Sequence, residues 1–228
     1  YAKITSGRLQ LEENQVDLAK LVENVLLRFQ HSANQKGIEL VLNLEADVPE
    51  YIVVDERRLH TLMDYLLEKA LSHTEHGEVE LRIKWDPQNQ QQHLLFSVRD
   101  TGEGMRKEEL KTLFRSMDQL DTLKNDVHLH GMGRTLCKQL VKLMGGDMYV
   151  ESTPGLGSTF SFSLPYGLTT ESASNPGQLE LLQGLSMLIV DDNSTLRKVI
   201  QRYAKSWGMH ADATYSGKEA LAMLRNQA

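Results

Sequence analysis

The alternation of apolar and polar residues marks a series of short strands along this chain. Leu94, Phe96 and Val98 fall on one side of such a strand, which runs into Asp100. Because successive side chains of a strand point to opposite faces, this pattern predicts a sheet with one apolar face. Strands are predicted at Ile38–Leu44, Tyr51–Val54, 79–85, 94–100, 148–152 and 158–164.

Apolar residues that recur every three or four positions predict the helices between these strands. The first helix begins at Asp17, whose side chain suits an N-cap, and ends at Gly37, which suits a left-handed C-terminal turn. The others are predicted at 56–73, at 107–114 and from Gly131 to the pair Gly145 and Gly146. Helices on one face of a mixed sheet make the predicted fold class an α+β sandwich.

A different pattern follows after residue 184. Residues 167–184 are rich in Ser, Thr, Gly, Asn and Pro, which is typical of a linker. The wholly apolar run 187–190 then predicts a parallel strand buried on both faces, before a helix, a second strand and a second helix. About 44 residues cannot bury the core of such a domain, so we expect 185–228 to be a truncated α/β domain.

Composition and charge narrow the class of protein. The 228 residues carry a net charge of −6, which argues against nucleic-acid binding because that needs a basic surface. The apolar runs are too short to cross a membrane. The single cysteine, Cys137, excludes an internal disulfide, and its position in a helical pattern predicts a packing role.

Candidate chemistry begins where the central strand ends, at Asp100. A carboxylate there can accept a hydrogen bond from an exocyclic amine such as that of adenine. Gly102 and Gly104 follow, and glycine lets a backbone approach a ligand closely or adopt a positive φ. An ordinary glycine-rich turn explains the same residues, so this motif alone leaves both interpretations open.

A second glycine-rich motif follows the polar stretch 115–130. A stretch of that length without a clear period is typical of a lid or a disordered segment. Gly131 and Gly133 then precede a predicted helix. Free backbone N–H groups at a helix N-terminus can bind phosphate, so these residues are candidates for a phosphate site.

Together these motifs resemble the catalytic and ATP-binding domain of sensor histidine kinases, followed by the start of a response-regulator receiver domain. The turn after Asp100 resembles the adenine-binding glycine box, and Gly131 with Gly133 resembles the second glycine box. Residues 157–160 resemble the closing strand of the family, whose threonine lies near the adenine. The resemblance implies that this threonine is Thr159.

The resemblance implies a two-layer α/β sandwich of the histidine-kinase ATPase (Bergerat) type, followed by a truncated flavodoxin-like receiver fragment. Residues 1–12 are then the end of a dimerisation helix and a connector, because 6–9 resemble the exit from those helices. The ATP-binding domain covers 13–166, the linker 167–184 and the N-terminal part of the receiver 185–228. ATP is the implied cofactor, with Mg²⁺ between its phosphates in the family.

The metal position departs from the family pattern. An asparagine on the second helix binds Mg²⁺ in the family, and matching Asp55 and Arg58 to that pattern places Lys69 at the asparagine. An ammonium has no lone pair for a metal and adds positive charge beside it, which puts Mg²⁺ binding at the nucleotide site in doubt. Lys69 then either contacts a phosphate directly or is an exposed helix lysine without a role.

The lid and the second glycine box depart as well. Of the usual Phe-x-Pro-Phe only Phe114 remains, and Leu129 stands where a glycine is usual. A Cβ at residue 129 restricts the loop. Arg134, just after the second glycine box, either contacts phosphate or lies exposed on its helix.

The receiver part carries a second candidate metal site. Asp191 and Asp192 match the acidic pair that holds Mg²⁺ beside the phosphorylated aspartate of a receiver. The set is incomplete, since that aspartate belongs on a third strand after Ala228. The phosphoacceptor histidine of the kinase belongs upstream of residue 1, so we expect no catalytic residue in this sequence.

Three functions are compatible with these motifs. The favoured one is a degenerate kinase module that binds nucleotide weakly and regulates a partner sensor kinase within a two-component phosphorelay. The alternative is an active histidine kinase domain that binds ATP and phosphorylates an upstream histidine, with Lys69 supplying a phosphate contact. A third is an ATPase of the chaperone or repair type, against which the receiver start argues. Whether the chain is an enzyme depends on the altered metal position.

The resemblance also implies partners and a location. The implied partners are another sensor kinase and the dimerisation domain of the same protein, with a homodimer or heterodimer formed through helices outside this sequence. No nucleic-acid partner is expected. The fragment itself is expected outside the membrane, in the cytoplasmic portion of a membrane-anchored protein of the bacterial inner membrane.

Overall fold

The computed structural model describes residues 10–86, 92–118, 129–168 and 180–227. The chain divides into two compact units, Tyr1–Ser172 and Ala173–Ala228. Most of the predicted N-terminal helix tail, most of the polar stretch 115–130 and most of the predicted linker lie outside the described residues. Among the described helices, none is long and apolar enough to cross a membrane.

The first unit alternates strands and helices in the predicted order. Its strands are β1 (Asn14–Asp17), β2 (Ile38–Leu44), β3 (Tyr51–Val54), β4 (Gly77–Trp85), β5 (His93–Asp100), β6 (Asp147–Thr153), β7 (Gly157–Pro165) and β8 (Gly167–Leu168). Its helices are α1 (Leu18–Lys36), α2 (Glu56–Ser72), α3 (Lys107–Asp118) and α4 (Leu129–Leu143).

Five of these strands form one mixed sheet in the order β2-β4-β5-β7-β6. β2 runs parallel to β4, and every other neighbouring pair is antiparallel. A smaller antiparallel sheet joins β1, β3 and β8. Because β5 lies at the centre of the large sheet, its last residue, Asp100, has neighbouring strands on both sides.

The ends of the first two helices follow from local chemistry. The Asp17 carboxylate accepts the backbone N–H of Lys20 at 3.0 Å, and Asp55 accepts that of Arg58 at 3.0 Å. Each bond satisfies one of the backbone donors that a helix N-terminus leaves without a partner. Gly37 ends α1 with a φ of 65°, which confirms the predicted left-handed turn.

The core lies between the large sheet and the helices packed on one of its faces. Phe96 of β5 and Phe162 of β7 are buried there, with their rings stacked 5.0 Å apart at 7°. Full burial of such a side chain contributes roughly 1.5–3 kcal/mol. Cys137 of α4 is buried in the same core, in agreement with its predicted packing role. The opposite face of the sheet carries polar and charged side chains, so the α+β sandwich is confirmed.

Three predicted boundaries are corrected. α3 continues to Asp118, beyond the predicted end at 114. α4 begins at Leu129, so Gly131 and Gly133 lie inside the helix rather than before it. The predicted linker begins too early, because Gly167 and Leu168 pair with β3, where main-chain hydrogen bonds to Val53 and Ile52 outweigh the loop-like composition.

The second unit contains two parallel strands and two helices in its described residues. They are β9 (Ser186–Val190), α5 (Ser194–Ser206), β10 (His210–Thr214) and α6 (Gly217–Gln227), after a short 3₁₀ turn at Glu180–Leu182. The predicted burial of β9 on both faces is wrong, since only Ile189 is buried and Val190 is 45% exposed. In the described residues β9 has one neighbouring strand, β10, which leaves part of its apolar surface uncovered.

Candidate functional site

Asp100 lies at the end of the central strand and is buried, with 4% of its surface exposed. Its Oδ1 atom accepts the backbone N–H of Gly102 at 2.9 Å and that of Ser158 at 3.2 Å. Burial raises the pKa of the Asp100 carboxyl, against the two backbone hydrogen bonds and the nearby His73 and Arg99, which lower it. The carboxylate is therefore held in one orientation by two backbone donors.

The two glycines after Asp100 serve packing inside the protein. A Cβ at Gly102 would overlap the backbone carbonyl of His73, at the end of α2. A Cβ at Gly104, whose φ is +67°, would overlap the backbone carbonyl of Thr153 at the end of β6. Other segments of the protein therefore occupy the space that a side chain at either glycine would need, and a contact between these glycines and a ligand stays a prediction. Gly104 nevertheless lines the cavity described next.

A cavity of about 490 Å³ opens beside Asp100. Its walls come from α2, the turn after β5, the start of α3 and the β6–β7 hairpin. The lining residues are Tyr65, Leu66, Lys69, His73, Asp100, Glu103, Gly104, Met105, Arg106, Glu109, Pro154, Ser158 and Phe160. Its volume suits a small-molecule ligand of nucleotide size, and apolar side chains alternate with a few charged ones, as is usual for such sites.

One face of α2 forms a wall of this cavity. Tyr65, Lys69 and His73 follow one another at four-residue spacing, so their side chains lie on the same side of the helix. The Lys69 ammonium lies 5.7 Å from the centre of the Tyr65 ring. Within the described residues no carboxylate forms an ion pair with Lys69. Lys69 thus brings positive charge into the cavity, and its contact with a nucleotide stays a prediction.

Thr159 lies on the other face of the sheet. It lines a groove there with Arg99 and Glu151, away from Asp100. Ser158 is the residue of this segment that lines the cavity and bonds to Asp100. The resemblance assigned the role of the family's threonine to Thr159, whereas Ser158, one residue earlier, is the residue at the cavity. Side chains one residue apart on a strand point to opposite faces. The alternation that puts Phe160 and Phe162 inside the sandwich already assigns Ser158 to the inner side.

Several cavity residues were not singled out from the sequence as ligand contacts. Tyr65, Met105 and Phe160 offer apolar surface, while Arg106 and Glu109 form an ion pair of 2.8 Å near the start of α3. The four-residue spacing from Lys69 was the available signal for Tyr65 and His73. For Arg106 and Glu109 no comparable signal exists, because the turn after β5 determines where the start of α3 lies.

Gly131 and Gly133 are described here only by their helical backbone. Both fall within the first turns of α4, which packs against α3 and α2. A contact between this segment and a phosphate stays a prediction.

The acidic pair of the second unit follows β9 directly. Asp191 Oδ1 accepts the backbone N–H of Asn193 at 2.7 Å, while the Asp191 carbonyl accepts from Arg197 at 2.6 Å. Asp192 is exposed. No cluster of three or more His, Cys, Asp and Glu side chains able to hold a metal occurs in the parts of the chain that the structure describes. The pair therefore provides two oxygen-bearing side chains and no third.

The cavity offers groups that suit a nucleotide base. The Asp100 carboxylate, fixed by two N–H donors, suits an exocyclic amine, and the aromatic walls suit a base. Among the charged lining residues, Lys69 carries an ammonium, which offers no ligand oxygen to a metal, and the Glu109 carboxylate is paired with Arg106. Whether Mg²⁺ binds here stays a prediction.

Comparison with known proteins defines the class. The family of histidine kinase-, DNA gyrase B-, and HSP90-like ATPases matches residues 54–168, which is half of the chain and contains α2, the glycine turn and the β6–β7 hairpin. The chain belongs to this family. The match confirms the ATPase sandwich and the expectation of an ATP-binding domain.

The relatives are hybrid and sensor kinases. The chain is 29% identical over 227 residues to hybrid signal transduction histidine kinase B of Dictyostelium discoideum, covering 89% of this chain and 12% of that protein. It is 30% identical over 226 residues to the sensor protein EvgS of Escherichia coli K12, covering 96% of this chain and 19% of EvgS. The chain thus spans a fifth or less of the length of these relatives.

A solved structure agrees with this assignment. The crystal structure of full-length ShkA in complex with AMPPNP superposes with a TM-score of 0.78 and 27% identity, covering 97% of this chain and 44% of ShkA. These similarities confirm the expectation of a sensor histidine kinase, a hybrid kinase and a two-component system.

Proposed function

We propose that this chain is the nucleotide-binding part of a hybrid sensor histidine kinase of a two-component phosphorelay, with a degenerate ATP site that regulates a partner sensor kinase. The observation that carries the proposal is the position of Lys69. Its ammonium lies in the cavity beside the Tyr65 ring, at the position where the family pattern has its Mg²⁺ ligand.

The base end of the cavity, which is the part around Asp100, has the features expected for binding a base. The expected metal position, in contrast, carries Lys69. Asp100 keeps two backbone donors and the cavity keeps its aromatic and apolar walls. Without a metal, the negative charge of a triphosphate is neutralised only by cationic side chains such as Lys69. We therefore expect weak nucleotide binding that Mg²⁺ does not strengthen, and slow or absent phosphoryl transfer.

A kinase fold whose metal site is weakened suits a regulatory role, because it keeps its binding surfaces while phosphoryl transfer is slow or absent. Such a module acts by association with another sensor kinase, through its own dimerisation domain, as a homodimer or a heterodimer. In sequence, the combination of changes resembles the Pseudomonas hybrid sensor RetS, a regulator that antagonises a partner kinase. The proposed location is the cytoplasmic portion of a membrane-anchored protein of the bacterial inner membrane.

The proposal includes the domain division. We assign residues 13–166 to the ATP-binding domain and 185–228 to the N-terminal part of a receiver, with Asp191 and Asp192 as its acidic pair. The parallel β9–β10 pair with helices after each strand supports the receiver assignment.

The second candidate is an active kinase domain that binds ATP and phosphorylates an upstream histidine. The AMPPNP complex of ShkA favours it, because that relative matches 97% of this chain. In this case Lys69 contacts a phosphate and replaces part of the positive charge of the metal.

Calorimetric titration with AMPPNP, with and without Mg²⁺, separates the two candidates. We expect weak binding that is equal in both buffers. The Asp192→Asn variant is the matched control, because it removes an exposed carboxylate of the second unit that can bind Mg²⁺ and release heat of its own. Micromolar binding that Mg²⁺ strengthens in both proteins would contradict the degenerate site and support the active kinase.

A further inference from the structure

Ser152, near the end of β6, links three parts of the base end of the cavity without lining the cavity itself. Its Oγ accepts the backbone N–H of Met105 at 2.7 Å. The same oxygen lies 3.1 Å from the carbonyl oxygen of Gly157 and 2.9 Å from Oγ of Ser158. One hydroxyl therefore joins the glycine turn, the β6–β7 hairpin and a cavity residue.

The number of available protons determines which atom donates in each of these hydrogen bonds. A serine hydroxyl has one proton and two lone pairs. The Gly157 carbonyl can only accept, so its bond takes the proton of Ser152. The bond between the two serines then requires Ser158 to donate its own proton to Ser152. All three hydrogen bonds exist together only in this arrangement.

The arrangement determines what Ser158 offers to a ligand. Ser158 lines the cavity, and because its proton is already used, its Oγ can act towards a ligand as an acceptor only. Both hydrogen bonds to Asp100 go to Oδ1, and among the described residues no donor contacts Oδ2. The base end of the cavity thus presents two acceptor oxygens, one from Ser158 and one from Asp100.

We propose that Ser152 is a positioning residue that makes the cavity select a base with an exocyclic amine over one with a carbonyl in its place. It does so by holding the Ser158 hydroxyl as an acceptor. The inference rests on the proposed nucleotide binding and deepens it, since it names a residue outside the cavity lining that determines how strongly the amine is preferred. Two acceptor oxygens match the two protons of an amine, whereas a carbonyl oxygen facing them has no donor.

The test compares ADP with IDP, which carries a carbonyl at the position of the adenine amine. Both are titrated without Mg²⁺ into the unchanged chain and into Ser152→Ala, and affinities are read from NMR chemical shifts, which report weak binding. The unchanged chain should prefer ADP by about tenfold, the cost of an unmatched buried acceptor. In Ser152→Ala the Ser158 hydroxyl can rotate and donate to the IDP carbonyl, so the preference should fall by about threefold or more.

The ratio of the two affinities separates positioning from simple support of the fold. If Ser152 only stabilised the structure, its loss would weaken ADP and IDP equally. Ser161→Ala is the matched control, because it removes a serine–serine hydrogen bond of the same 2.9 Å length, to Ser97, on the opposite face of the sheet. That variant should keep the ratio of the unchanged chain.

The remaining outcomes would contradict either the role of Ser152 or the proposed nucleotide binding. An unchanged ratio in Ser152→Ala, or an equal loss of preference in Ser161→Ala, overturns the role of Ser152 while leaving nucleotide binding in place. Equal affinity of the unchanged chain for ADP and IDP also overturns it. Binding of neither nucleotide overturns the proposed function itself, and the inference with it.

Discussion

The ammonium of Lys69 lies 5.7 Å from the centre of the Tyr65 ring, one helical turn earlier on α2. Both side chains line the cavity that contains Asp100. A cation beside a tyrosine ring gains roughly 0.5–1 kcal/mol at a partly exposed site. This contact holds a positive charge against the cavity wall, at the position where the resemblance leads us to expect a metal ligand.

Lys69→Asn should make nucleotide binding dependent on Mg²⁺. The substitution replaces an ammonium with a carbonyl oxygen and removes the charge that opposes a dication. We expect the affinity of this variant for AMPPNP to rise about tenfold when Mg²⁺ is added, or about 1.4 kcal/mol. Calorimetry with the same ligand in both buffers measures the change.

Lys69→Met is the control for that experiment. It removes the same charge but supplies no oxygen, so Mg²⁺ should not strengthen its binding. If Lys69→Asn also fails to respond to Mg²⁺, the loss of metal binding originates in the altered lid instead.

Asp100→Asn should separate binding from stability. The amide keeps an oxygen for the N–H groups of Gly102 and Ser158 but places an NH₂ group where the ligand amine would lie. Nucleotide affinity should fall at least about tenfold. The fold should be as stable as the unchanged protein, or more stable, at neutral pH, because burial raises the pKa of the Asp100 carboxyl and so disfavours its ionised form.

The sign of the pH dependence follows from the same raised pKa. When the folded pKa lies above the unfolded one, the native state binds more protons between the two values, so stability falls as pH rises through the folded pKa. The stability advantage of Asp100→Asn should therefore be largest at neutral pH and shrink on acidification towards the ordinary value of 3.8. Urea unfolding of both proteins between neutral and acidic pH measures it; an advantage that grows on acidification would refute the argument.

Gly104→Ala should destabilise the fold far more than Gly155→Ala. Both glycines have positive φ, +67° and +75°, which costs an alanine roughly 1–2 kcal/mol. A Cβ at Gly104 also overlaps the Thr153 carbonyl, whereas a Cβ at Gly155 meets nothing within 4 Å. We expect the free energy of unfolding to fall by about 3 kcal/mol or more in Gly104→Ala and by about 1 kcal/mol in the control, Gly155→Ala. Equal losses in urea unfolding would show that Thr153 moves away without cost.

Cys137 should resist thiol reagents until the protein unfolds. Burial raises the pKa of its thiol from 9.0 to about 12, and only 3% of the residue is exposed. At pH about 8 this lowers the thiolate fraction by about a thousandfold, and the thiolate is the reactive form. Because the chain has one cysteine, the rate of iodoacetamide labelling reports this residue alone. Rapid labelling without denaturant would contradict its place in the core.

The elements with strong local signals were predicted correctly. Asp17 and Gly37 set the limits of α1, and the alternation from Leu94 to Val98 assigned the inner face of β5. These features depend on caps and side-chain periodicity, which act between residues close in the chain. Asp100 was placed at the end of β5 for the same reason, because it ends a clear strand.

The errors concern contacts between distant segments or the choice between adjacent residues. Thr159 was chosen over Ser158 from a motif, although one step along a strand reverses the face. Nothing in the sequence indicated that the carbonyls of His73 and Thr153, which lie 29 and 49 positions away, pack against Gly102 and Gly104.

The sequence by itself determined the order of strands and helices and the two-layer sandwich, because these follow from periodicity and capping. Only the tertiary structure decided that Ser158 bonds to Asp100 and that Ser152 joins the glycine turn to the hairpin. Those relationships depend on how β5, β6 and β7 approach one another, and a hydroxyl acquires a direction only when its partners come within hydrogen-bonding distance.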